Sequence, residues 1–152
     1  MLFPIKSRVL YASQFTKVEY FWHPNSQIKN IAFVFSPSLN RELEGNKFGG
    51  NTFFQNQCDV ISFKQVSDLW FQDIPEQLFS EILKLISEKG YIKKIAYGSS
   101  MGGFASIAFS KMLKCNLAIA ISPQYSIGES FDERWKSYSK EIFLNIKLQK
   151  IQ

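Results

Sequence analysis

The sequence predicts an α/β protein, a three-layer sandwich in which helices pack on a mostly parallel sheet. Short apolar runs alternate with longer amphipathic stretches, and some of the runs are nearly continuous in apolar residues. A continuous apolar run is typical of a strand buried on both faces. Strands that alternate with helices need crossover connections, which make neighbouring strands parallel. A chain of 152 residues is expected to form one domain, 1–152.

Six segments are predicted to be strands, because each is short, rich in β-branched or aromatic residues, and bounded by polar residues or proline. The polar stretch with glycines that follows the third strand is expected to be loop, with a plain turn at 48–51. The predicted strands are Arg8–Ser13, Lys17–His23, Ile31–Ser36, Asp59–Phe63, Ile92–Tyr97 and Asn116–Ser122.

Two helices are predicted between these strands. The first covers Asp73–Lys89, with Asp73 as its N-cap and Gly90 as its C-terminal stop. The second covers Met101–Leu113 and opens with small residues, which allow a helix to approach a sheet closely. Beyond residue 130 the apolar spacing fits either a helix or a strand, and we favour a helix.

Composition excludes several classes of function. The net charge of +5 is spread along the chain without a dense basic run, so nucleic-acid binding is not expected. Cys58 and Cys115 have no metal-ligand spacing and are expected to be reduced core thiols. No signal-peptide pattern and no apolar run of membrane-spanning length is present. We therefore expect a cytoplasmic protein that needs no metal and no cofactor.

One motif carries chemistry. Residues 98–102 read Gly-Ser-Ser-Met-Gly, a Gly-x-Ser-x-Gly pentapeptide between a predicted strand and a predicted helix. Such a strand-to-helix turn, the nucleophile elbow, holds a serine hydroxyl out from the backbone, where a base and oxyanion donors can reach it. The pattern makes Ser100 the candidate nucleophile.

The stretch from Ile95 to Ser106 and the downstream Ser-Pro-Gln-Tyr-Ser at 122–126 resemble the α/β-hydrolase fold. The chain is similar to small bacterial hydrolase-like proteins with this segment, some of them associated with surface-glycan assembly. The resemblance covers about residues 8–135 and implies a serine esterase, lipase or acyl-transfer chemistry at Ser100.

The resemblance also implies the other site residues. The oxyanion donors are the N–H of Met101 and one from the loop after an earlier central strand, where Pro37 has no N–H and either Ser36 or Ser38 must donate. Gln124, Tyr125 and Trp70 are possible pocket residues. By chain order, Asp132 is the best-placed acid.

The chain departs from this pattern at the general base. In the resembling proteins an acid and then a histidine follow the nucleophile, but the one histidine here is His23, before Ser100. His23 is expected at the opposite edge of the sheet, about 20 Å away at ~3.3 Å per residue. The sequence is therefore expected to lack the last strand-helix units, and its domain to be partial.

Two functions remain open. The first is a serine acyl hydrolase or acyltransferase acting on a small ester or acyl substrate, with its base supplied from another chain or from a C-terminal continuation. The second is a non-catalytic remnant or binding module that keeps the hydrolase fold. In either case the last strand is expected at an exposed sheet edge, where a second copy could pair and form a homodimer.

Overall fold

The computed structural model describes residues 6–24, 27–40, 42–45, 48–66 and 68–124. Within these ranges the backbone forms one six-stranded sheet flanked by helices. The strands are β1 (Lys6–Ala12), β2 (Thr16–Trp22), β3 (Asn30–Phe35), β4 (Asp59–Gln65), β5 (Lys93–Ser99) and β6 (Leu117–Ile121).

The sheet is mostly parallel, as the sequence predicts. Its strand order is β1-β2-β4-β3-β5-β6. β1 pairs antiparallel with β2, and β2 pairs antiparallel with β4, whereas β4, β3, β5 and β6 run parallel to one another. The carboxyl ends of the four parallel strands therefore meet at one edge of the sheet.

Helices cover both faces of the sheet. Side chains of α2 (Glu76–Lys89) and α3 (Met101–Ser110) belong to the larger buried cluster, on one face. Phe53 and Phe54 of α1 (Gly50–Gln55) pack against the smaller cluster, which includes Val34 and Val60 on the other face. The predicted three-layer sandwich is confirmed.

The expected turn at 48–51 is wrong in part, because α1 begins within it. Gly49 has φ 86°, a left-handed conformation that suits glycine, and it caps the helix. A Cβ on Gly49 would also lie 2.8 Å from the ring of Tyr97. The glycine pair thus starts a short helix close to β5.

The bounds of the predicted strands and helices also differ from the observed ones by up to three residues. α2 begins at Glu76, with Pro75 as its N-cap, because the Asp73 carboxylate is used elsewhere: it accepts a hydrogen bond from Gln65 at 2.8 Å. Gly90 ends α2 with φ 68°, as predicted. β4 extends two residues further than predicted, to Gln65, and α3 ends at Ser110.

The polar end of β4 is compatible with burial because its side chains are paired. The Lys64 ammonium, which is fully buried, donates to Glu19 Oε2 at 2.8 Å and to the carbonyl oxygen of Gly45 at 2.8 Å. Burial lowers the pKa of Lys64, and the hydrogen bond that Lys64 donates to Glu19 opposes that effect. Buried charges persist in this way only when they are paired.

Several sequence-based expectations lie outside the described residues. These are the helix favoured beyond residue 130, the pocket residue Tyr125 and the acid Asp132. Among the described residues, no helix is both long and apolar enough to cross a bilayer.

Buried ionisable groups predict that stability falls at alkaline pH. Burial raises the pKa of Cys58, of Cys115 and of Tyr20 to about 12, from ordinary values of 9.0 for the thiols and 10.0 for the phenol. These groups lose protons first in the unfolded chain, which favours unfolding. The free energy of unfolding should therefore decrease as pH rises from about 9 towards 12, measured by urea denaturation under reducing conditions.

The variant Cys58→Ala should show a smaller decrease over this pH range. The matched control is Ser62→Ala, which alters an equally buried residue of β4 without a thiol and should keep the wild-type pH dependence. A free energy of unfolding that stays constant between pH 9 and 11 would contradict the prediction.

Candidate functional site at the Ser100 turn

Ser100 lies at the turn between β5 and α3, at the carboxyl edge of the parallel strands. Its backbone has φ 54° and ψ −122°, outside the regions that residues with a side chain favour. Two hydrogen bonds hold it there: the Ser100 N–H donates to the Ile121 carbonyl at 2.9 Å, and the Phe104 N–H donates to the Ser100 carbonyl at 3.0 Å. The strained residue is thus the serine, and the neighbouring structure fixes its conformation.

The glycines of the pentapeptide provide space for this turn. A Cβ on Gly98 would lie 2.1 Å from the Gly102 carbonyl oxygen, and a Cβ on Gly102 would lie 2.3 Å from the Phe35 carbonyl oxygen. Neither distance is compatible with a side chain. The start of α3 therefore packs directly on the backbone at the ends of β3 and β5.

This packing brings together the two backbone segments from which oxyanion donors are expected. The segment after β3 is called the β3 loop here (residues 36–40). Met101 is the first residue of α3, so its N–H has no acceptor within the helix. Because Gly102 touches the carbonyls of Phe35 and Ser36, the Met101 N–H and the start of the β3 loop are neighbours.

Within the β3 loop, Ser38 is the better candidate for the second donor. The Ser36 N–H donates to a carbonyl oxygen of β4 at 3.0 Å, so in this structure it already has an acceptor. Pro37 has no N–H, and the Leu39 N–H donates to a carboxylate at 3.1 Å. Among residues 36–39, this leaves Ser38 as the donor without an acceptor in the described residues.

Gln124 contacts the Ser100 hydroxyl. Its Nε2 donates to Ser100 Oγ at 3.0 Å, while its Oε1 is buried without a hydrogen-bond partner among the described residues. An amide at this position can orient the serine hydroxyl, but it cannot act as a base, because it does not take up a proton at neutral pH.

Trp70 packs against the helix that follows the Ser100 turn. Its side chain is fully buried and its ring packs edge-on against Phe104 in α3, with the ring centroids 5.2 Å apart. Phe104 follows Ser100 by one helical turn. Trp70 was expected as a possible pocket residue, and in the described structure its contact is with the helix that carries the Ser100 turn.

His23 lies at the opposite end of the parallel strands from Ser100, as expected from the strand directions. It follows β2 and sits beside the first residue of β4, Asp59, whereas Ser100 follows the last residue of β5. Its Nδ1 is 2.7 Å from Asp59 Oδ1, and its Nε2 is 3.0 Å from the carbonyl oxygen of Phe54. His23 therefore does not serve Ser100 as a base.

No local pattern in the sequence indicates Gln65, whose side chain is buried at the carboxyl ends of the parallel strands and bonded to several segments. A polar residue after an apolar run is typical of a strand end, and its partners are distant in sequence.

Among the described residues, no group of three His, Cys, Asp or Glu side chains could hold a metal ion.

The close packing at Gly102 leads to a prediction. Gly102→Ala places a methyl group against the carbonyls of Phe35 and Ser36, so it should destabilise the protein by about 3 kcal/mol or more. In an unobstructed helix the same change would stabilise by about 1 kcal/mol. The free energy of unfolding, measured in urea, decides between these outcomes.

The matched control is Gly103→Ala in the same helix. There the Cβ would lie 3.1 Å from the Ile121 carbonyl oxygen, a contact that small shifts can relieve, so the loss of stability should be clearly smaller. Equal stability of Gly102→Ala and wild type would contradict the close approach.

The chain is similar in structure to known hydrolases and an acyltransferase. An arylesterase structure matches with a TM-score of 0.55 and 15% identity, over 99% of this chain and 54% of that one. Esterase 2 of Thermogutta terrifontis, phosphoramylated by tabun, matches with a TM-score of 0.58 and 10% identity, over 91% and 61%. The capsule O-acetyltransferase of Neisseria meningitidis serogroup A matches with a TM-score of 0.55 and 13% identity, over 88% and 58%.

This chain thus spans between about half and two thirds of the length of these three structures. No protein-family model and no curated protein matches it. At such low identity the likeness shows the fold alone, which is the mostly parallel sheet with flanking helices of the α/β-hydrolase fold.

Proposed function

We propose that the chain is a serine acyl hydrolase or acyltransferase with Ser100 as its nucleophile. The observation that carries the proposal is the strained backbone of Ser100 at the strand-to-helix turn, with its hydroxyl within hydrogen-bond distance of Gln124. Strained backbone persists where the surroundings enforce it, and it clusters at functional sites. The fold, shared with esterases and an O-acetyltransferase, supports the same chemistry.

In the proposed reaction, Ser100 Oγ forms a bond to the carbonyl carbon of an ester and loses its proton to a base. The carbonyl oxygen becomes an oxyanion, held by the N–H groups of Met101 and Ser38, each worth roughly 3–4 kcal/mol in the transition state. Collapse of this intermediate breaks the bond between the carbonyl carbon and the alcohol oxygen, which takes the proton back from the base, so the alcohol leaves and an acyl group stays on Ser100. Water or a sugar hydroxyl then takes the acyl group.

The base is proposed to come from outside these 152 residues, from another chain or from a continuation of this one. The one histidine, His23, is engaged at the opposite edge of the sheet. Without a base, the rate falls to what binding and oxyanion stabilisation supply. A carbohydrate of the bacterial surface is the proposed substrate class, by analogy with the capsule O-acetyltransferase of the same fold.

A fluorophosphonate probe tests the nucleophile. Ser100 Oγ should attack the phosphorus and displace fluoride, giving one labelled site by intact mass. Because the one histidine of the sequence lies at the far end of the strands from Ser100, labelling should be slow alone and faster with added imidazole, which can accept the proton. Ser100→Ala should abolish labelling, and Ser99→Ala, the matched control, should retain it.

The alternative function is a binding module without catalysis, which the absence of a histidine beyond His23 favours. No labelling of the folded wild type, with or without imidazole, would exclude the activated serine and leave this alternative.

A homodimer is also proposed, through β6. One edge of β6 pairs with β5, and no described strand pairs with its other edge. Leu117 and Ile121 are 45% and 46% exposed, so the strand offers both unpaired backbone groups and apolar side chains to another copy. Light scattering should show a dimer that Leu117→Lys weakens, whereas Ile92→Lys, an exposed residue elsewhere, should not. A wild-type monomer at high concentration would contradict this proposal.

A further inference from the structure

Two segments border the Ser100 turn, and one residue joins them, through its backbone to the first and through its side chain to the second. The β3 loop follows β3, and the aromatic turn (residues 69–72) follows β4. We propose that Gln65, the last residue of β4, is a positioning residue that holds the β3 loop and the aromatic turn as one unit against the Ser100 turn. The inference rests on the proposed function of Ser100, and it concerns the geometry of the oxyanion donors.

The Gln65 amide is buried and satisfied by three contacts. Its Nε2 donates to Thr16 Oγ1 at 2.8 Å and to Asp73 Oδ1 at 2.8 Å, and its Oε1 accepts from the Phe71 N–H at 3.2 Å. Its exposed fraction is 1%. A buried amide with its donors and acceptor in use fixes its neighbours, because releasing any of them leaves a polar atom without a partner.

The Gln65 backbone binds the β3 loop at both ends. The Gln65 N–H donates to Ser36 Oγ at 3.1 Å, and the Gln65 carbonyl accepts from Asn40 Nδ2 at 3.0 Å. The β3 loop, which carries the proposed donor Ser38, is therefore attached on either side of that residue. The Ser36 hydroxyl has a structural use here even though its N–H is not an oxyanion donor.

The aromatic turn needs such an attachment because its backbone is strained. Trp70 and Phe71 have φ of 56° and 58°, and the Gln72 N–H donates to the Leu69 carbonyl at 3.1 Å. Two consecutive positive φ values within a four-residue hydrogen-bonded turn are the signature of a type I′ turn, which favours glycine and asparagine. For bulky aromatic residues this conformation costs about 1–2 kcal/mol each.

The strained residues of the aromatic turn pack against the elements that form the Ser100 turn. Trp70 packs on Phe104, one turn into α3, and Phe71 packs edge-on against Phe35, with centroids 5.5 Å apart. Relaxation of the aromatic turn would therefore move both the start of α3, with the Met101 N–H, and the end of β3. Gln65 opposes that relaxation through its bond to the Phe71 N–H.

Variants of Gln65 test this role through the rate of fluorophosphonate labelling of folded protein, with imidazole present. Gln65→Met removes all three side-chain contacts and should slow labelling about ten- to a hundredfold, the usual result of a small displacement of reacting groups. Gln65→Glu should be similarly slow, because its carboxylate faces that of Asp73. Gln65→Glu with Asp73→Asn reverses the donor and acceptor and should restore labelling to within about threefold of wild type.

Tyr91→Phe is the matched control. It removes a buried hydroxyl that donates to Asp59 at the opposite edge, so it should cost stability comparably and leave the labelling rate unchanged. If Gln65→Met folds and labels at the wild-type rate, or if Tyr91→Phe slows labelling equally, the positioning role is overturned.

Hydrogen exchange gives a readout that does not depend on Ser100 reactivity. In Gln65→Met the amides of residues 68–72 should exchange faster because their side-chain attachment is lost. The amides of residues 36 and 38–40 should become faster with them, because the loop is held by the backbone of the same, now loosened, end of β4. Tyr91→Phe should leave both segments unchanged. If only one segment becomes faster, the coupling is overturned. If the wild type is never labelled but both segments respond, the proposed function fails and the attachment by Gln65 stands.

Discussion

The direct contact between the backbone of α3 and the ends of two strands determines the rest of this structure. Gly98 and Gly102 are positions where a single methyl group would overlap a carbonyl oxygen. Because the contact is between backbones, side-chain adjustment cannot restore it once it is lost. It sets the direction in which the chain leaves β5, the strained conformation of Ser100 and the proximity of the β3 loop to the first N–H of α3.

Buried polar networks lie at both ends of the parallel strands, and the two networks have different roles. At the carboxyl edge, the Gln65 network binds loops whose positions govern the chemistry proposed for Ser100. At the opposite ends of these strands, Asp59 binds His23 and Tyr91, and Tyr91 binds Tyr20 at 2.5 Å, which joins β2, β4 and the segment between α2 and β5. Breaking either network would lower the free energy of unfolding, because each buried polar group would be left without its hydrogen-bond partner.

Much of the fold could be predicted from the sequence because its parallel strands are apolar on both faces. The Ser100 turn could be predicted because strand, pentapeptide and helix are contiguous. The end of β4 could not, since Lys64 and Gln65 interrupt the apolar pattern and are compensated by partners 45 and 49 residues away, Glu19 and Thr16. α1 was missed because it starts at glycines and has only 6 residues. Contacts between distant residues are not encoded in local periodicity.

The position of His23 has a consequence for chemical modification. Reagents that acylate imidazole are commonly used to implicate a histidine in catalysis. In this chain both ring nitrogens of the one histidine contact oxygen atoms, and the ring stacks on Phe54 at 3.8 Å. Acylation of His23 therefore requires the start of β4 and the end of α1 to separate, so its rate would report local opening of that edge of the sheet and carry no information about a catalytic base.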